Sequence, residues 1–123
     1  MNMGKINIVQ RADSTLAVDI KTNEKGEVWA TSYEIADLFQ VFTSSVSSNL
    51  KAMFRDKQLY EDEVTKEING TVYYNLEVII ALAFRCKGPI CKKFCQWVCC
   101  QVKRPSVEQK SLIIQMGKEV YLA

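Results

Sequence analysis

The 123-residue chain contains no histidine. The Cys–His pairing that activates most catalytic thiols therefore cannot be built. Paired carboxylates, a nucleophile elbow and a glycine-rich phosphate loop are missing too, so neither an enzyme nor a cofactor is expected. The longest apolar run, residues 78–84, is far too short to span a bilayer. The opening stretch MNMGKINIVQRADS lacks the continuous apolar core of a secretory signal, and the expectation is a cytoplasmic protein with no membrane partner. Internal repeats and low-complexity segments are absent.

What is present is the composition of an ordinary globular chain: 48% hydrophobic and 24% charged residues, enough to bury one core and too apolar for disorder. A formal charge of +2 does not by itself announce a nucleic acid, but its distribution is uneven. Arg85, Lys87, Lys92, Lys93, Lys103 and Arg104 follow one another without an intervening acid, which leaves the remainder net acidic by four. That segment suits either an extended electrostatic footprint on phosphates or a solubilising helix face. All five cysteines fall within residues 86–100, which is not a disulfide framework spread over a small secreted fold, and reduced thiols are expected.

Along the chain, Ile6 and Ile8, then Leu16, Val18 and Ile20, alternate with polar neighbours at the period of a half-buried strand. With residues 27–30 they predict a small antiparallel meander of three strands. Thr31 followed three residues later by Glu34 is a capping box, and Ile35, Ala36, Leu38 and Phe39 form the buried stripe of the helix it opens. A turn at Val41 and Phe42 leads to Thr43, a second candidate cap. The next helix carries Val46, Leu50, Met53 and Phe54 on one face, and two short helices so briefly joined have helix-turn-helix proportions.

After an acidic loop at residues 60–63, Asn69-Gly70 separates two strand-like runs, the strongest short hairpin signal. A hairpin in this place is what a winged helix has. Asn75 caps an almost wholly apolar helix, residues 76–86, and Lys87-Gly88-Pro89 breaks it before a last helix at residues 90–102. The fold class expected is α+β: a small antiparallel meander, a winged helix-turn-helix and C-terminal helices. Residues 1–105 form the domain. Residues 106–123 form a helical tail whose stripe, Leu112, Ile113, Met116 and Val120, is the place for a homodimer contact.

These residues resemble the RhuM-like virulence-associated proteins of bacteria. The likeness rests on Val28-Trp29-Ala30-Thr31, EIADLF at residues 34–39, SSVSSNLKAMF at 44–54, YYNLEVIIALAFR at 73–85, and Phe94 with Trp97. It covers about residues 6–102. It implies an N-terminal DNA-binding module, distantly similar to phage antirepressor-type domains.

The expected function is binding of double-stranded DNA in transcriptional or phage-type regulation, with the helix at residues 44–55 in the major groove. Ser44, Ser45, Ser47, Ser48 and Asn49 supply hydroxyls and an amide for phosphates or an adenine edge, and Lys51 and Arg55 neutralise the backbone. Lys66 in the hairpin suits a wing contact, although Glu67 beside it opposes one. The same serine-rich face also suits plain solvent, and the alternative function is a protein-interaction module on an inherited scaffold. Cys91, Cys95 and Cys99 recur every four residues, but the C-x₂-C spacing of structural zinc sites is absent and no metal is expected. Cys91 and Cys95 fall on the apolar side. Cys100, among Lys93, Gln96 and Lys103, is the best candidate for a reactive thiol.

Overall fold

A computed structural model describes residues 2–103. The tail at residues 106–123, with Leu112, Ile113, Met116, Val120 and the dimer contact expected there, lies outside the described residues, as does Arg104. The elements are β1 (Lys5–Gln10), β2 (Leu16–Lys21), β3 (Trp29–Ala30), α1 (Ser32–Phe39), α2 (Thr43–Arg55), α3 (Glu61–Val64), β4 (Thr65–Ile68), β5 (Thr71–Asn75), α4 (Leu76–Arg85) and α5 (Pro89–Lys103). The chain is α+β, and among the described residues no helix is long and apolar enough to cross a membrane.

The three-stranded meander does not form. β1 and β2 pair alone as an antiparallel hairpin, and β3 leaves them to join β5 in a second sheet of order β3-β5-β4. The β3 approach still passes close to the start of β1: at Gly4, with φ +71°, a Cβ would run into the Glu27 carbonyl oxygen. One backbone bond, from Trp29 N–H to the Met3 carbonyl at 2.7 Å, is what remains of the expected third strand. β3 then places Trp29 opposite Asn75 and Ala30 opposite Tyr74.

Local signals formed as the chemistry requires. Thr31 and Glu34 exchange both capping-box bonds, at 3.2 Å and 2.8 Å. Asn69 and Gly70 take φ of 53° and 82°, the positive pair that a tight hairpin turn needs. Asn75 accepts from the Val78 N–H at 3.2 Å and starts α4 directly from β5. The acidic stretch expected to be a loop instead forms the single turn α3, because Val64 at its end is buried at 3% exposure and draws the backbone inward.

The core lies between α1, α2, α4 and α5. Ile35, Phe39, Val46, Met53, Val78, Ile79, Leu82, Cys91 and Phe94 are all buried, and the Phe39 and Phe94 rings meet with centroids 5.3 Å apart. α4 is not buried all round, however: Phe84 remains 57% exposed. On α5, Cys91 and Phe94 are buried, whereas Val102 near its end is 76% exposed.

Between α1 and α2 only Gln40, Val41 and Phe42 intervene. Val41 N–H bonds the Ala36 carbonyl at 3.0 Å, a Schellman closure that requires its middle residue to be left-handed. That residue is Gln40, at φ 56° and ψ 48°, and its side-chain amide donates to the Asp37 carbonyl. A Cβ in this conformation is strained by about 1 kcal/mol. Gln40→Gly is accordingly expected to raise stability by roughly 0.5 kcal/mol, after loss of the side-chain bond and the greater freedom of glycine in the unfolded chain. Thermal unfolding followed by circular dichroism reads this as a rise in Tm, and a fall would show that the Gln40 bond outweighs the backbone strain.

Candidate nucleic-acid interface

α2 turns its apolar residues Val46, Leu50 and Met53 to the core, and the helical period then leaves Ser44, Ser48, Lys51 and Arg55 exposed in line on the far side. Arg55 Nε donates to Asp56 Oδ1 at 3.2 Å, but both side chains are well exposed, and such a pair is weak and open to exchange for a phosphate. Ser47 sits on the flank. It lines a hollow of ≈ 390 Å³ together with Ser32, Lys51, Phe54, Glu61 and Tyr74. Burial, and then the Glu61 carboxylate, push the Tyr74 phenol above its ordinary pKa.

Ser45 and Asn49 face the other way. The Asn49 amide nitrogen donates to the Ser45 carbonyl at 2.9 Å and towards Cys86 Sγ at 3.6 Å, and its oxygen accepts from Arg85 Nε at 3.2 Å. Ser45 Oγ lies 3.9 Å from the same sulfur, and Arg85 reaches on to Gln58 Oε1 at 3.0 Å. Ser45 was expected on the presented face and Asn49 on its flank, at the border of the apolar stripe. The end of α4 packs against that border, so they become the seam between the two helices.

Lys66 is also engaged within the fold. Its ammonium lies 4.3 Å from the centre of the Trp29 ring, whose indole N–H donates to Glu27 Oε1 at 3.1 Å. The Trp29 bond, then those of Asn23, and the nearby Lys66 and Lys25 charges hold the Glu27 carboxyl below its usual range.

Two features escape the sequence patterns. Phe42, not Thr43, is the residue before the first turn of α2, and its ring is 83% exposed. The available signal was two consecutive apolar residues in a three-residue turn, where only one can be turned inward. Lys87, from the α4–α5 connection, borders a hollow of ≈ 390 Å³ shared with Val41, Phe42, Ser45, Gly88 and Pro89, which carries part of the basic segment to the start of α2.

The cysteines are all free. Cys86 and Cys91 are buried, Cys95 is half-buried, and Cys99 and Cys100 are exposed. Burial, then the neighbouring Cys86 and Cys95, push the Cys91 thiol up to about 11, and burial followed by Cys99 raises Cys95. Among the described residues no group of three or more His, Cys, Asp or Glu side chains is arranged to hold a metal ion. No family model, curated protein or solved structure matches this chain.

Asn49→Ala removes the seam's central amide and leaves Arg85 Nε without its acceptor, and is expected to lower stability by about 1–2 kcal/mol. Ser48→Ala on the presented side should stay within about 0.5 kcal/mol, so urea unfolding of the two variants separates inward from outward positions. A thiol reagent at neutral pH should modify Cys99 and Cys100 rapidly and Cys91 only after unfolding. Because the Cys91 pKa is raised on folding, its contribution to stability is full below about 9 and is lost as pH rises through about 11. The urea midpoint should therefore fall over that alkaline range, and fall less in Cys91→Ala.

Proposed function

We propose that α1, α2 and the β4–β5 hairpin act as a winged helix-turn-helix that binds double-stranded DNA, as the resemblance to the RhuM-like proteins implies, in transcriptional or phage-type regulation. The observation that supports this reading is the exposed line of Ser44, Ser48, Lys51 and Arg55 along α2. Hydroxyls at its start and cations further along match a helix laid in the major groove, where Lys and Arg neutralise phosphates. Ser47 stands on the flank of that contact. Ser45 and Asn49 serve it indirectly, by fixing the roll of α2 on α4, and Lys66 stiffens the hairpin through Trp29. Lys87 adds a further cation beside the first turn of α2.

The reading predicts a steep salt dependence for binding to a fluorescent duplex. Lys51→Gln with Arg55→Gln should lower the slope of log K against log salt by roughly two, about 0.9 for each phosphate that is no longer neutralised. Absence of binding even at low salt would remove the DNA reading. A second reading, a protein-interaction module, has its own support in a cleft of ≈ 1060 Å³ between α4 and α5, lined by Phe84, Cys95, Cys99, Cys100, Lys92 and Lys103. Under that reading the α2 double variant changes no interaction, whereas Phe84→Asp abolishes partner capture.

A further inference from the structure

We infer that Phe42 is a specificity-determining residue that reads the 5-methyl group of thymine, an inference that rests on the reading of α2 as the DNA-facing helix.

The position lacks the side-chain cap that α1 and α4 have, as does Tyr60 before the single turn α3. Thr31 and Asn75 cap α1 and α4 with side-chain oxygens. Phe42 stands at the corresponding position of α2, in extended backbone at φ −70° and ψ 143°, and gives its first turn no side-chain bond. Ser, Thr, Asp or Asn there would stabilise the helix. The ring offers no packing in exchange, since it is the most exposed large hydrophobic side chain among the described residues. Nor is it needed to guide the chain into the helix, because the preceding residue, Val41, does that by packing against the core. Departures of this kind, unfavourable for the fold and without local compensation, belong at functional positions.

Its placement suits base contact. In a helix laid in the major groove the first residues meet the base edges, and thymine alone presents a methyl group there, which apolar side chains including Phe contact. The exposed line of α2 is otherwise small or cationic, with Ser44 and Ser48 nearest the start. Such side chains hold phosphates better than they discriminate bases. Phe42 is the large exposed apolar group at that end, and the hollow beside it, on the Ser45 side, is bordered by Lys87 and also by Asp37.

The test uses one mixed-sequence duplex prepared twice, with thymine and with deoxyuridine, which differ only by the methyl groups. The wild-type protein should bind the thymine form more tightly, by roughly fourfold for each methyl buried. Phe42→Ser should lose that preference while keeping salt-dependent binding, and its Tm should rise because a hydroxyl cap is gained. Phe42→Leu should keep part of the preference. Equal wild-type affinity for the two duplexes, a preference that survives in Phe42→Ser, or a Tm lowered by that change would each overturn the inference and leave the DNA reading standing. No binding of either duplex at low salt would overturn both.

Discussion

The rotation of α2 about its own axis is set by its buried stripe together with one amide, that of Asn49. An apolar stripe alone lets a helix roll by a fraction of a turn, because methyl groups of similar size exchange places at small cost. The Asn49 side chain restricts that freedom: steadied within α2 by its bond to the Ser45 carbonyl, it reaches across towards Cys86 Sγ with its nitrogen and accepts from Arg85 with its oxygen. Directional bonds of this kind select one orientation where packing would accept several. The rest of the outward surface follows: with Asn49 turned to α4, Ser44, Ser48, Lys51 and Arg55 must face solvent.

Charges of both signs lie along the length of α2. Acids gather towards its end, where Asp56 meets Arg55 and Glu61 shares a hollow with Lys51. Its beginning has Lys87, Asp37 and an aromatic ring around one hollow. The cations of the exposed line, Lys51 and Arg55, lie in the second half of the helix, so neither end is purely basic.

The signals that could be read from the sequence were those whose partners lie within four residues. The Thr31–Glu34 box, the Asn69-Gly70 turn and the Asn75 cap are satisfied by near neighbours, and each formed as expected. The misread positions depend on distant partners. β3 has two residues and is defined by β5, and Ser45 and Asn49 are drawn inward by Cys86 and Arg85. For α2 the 3.6-residue period located the centre of the buried face, but the width of that face is set by the neighbour that covers it. Thr43 was a reasonable cap by residue type, but the left-handed step at Gln40 moved the boundary back by one and gave the position to Phe42.

The two-residue strand β3 also bears on how fast the chain folds. Pairing Ala30 with Tyr74 closes a loop that contains α1, α2, α3 and β4. The entropy lost in closing a loop grows only with the logarithm of its length, so the equilibrium penalty is modest. The search is affected more, because contacts distant in sequence slow folding while helices and tight hairpins form locally and early. With the Phe39–Phe94 contact, this short ladder is among the contacts distant in sequence that slow the search for the fold.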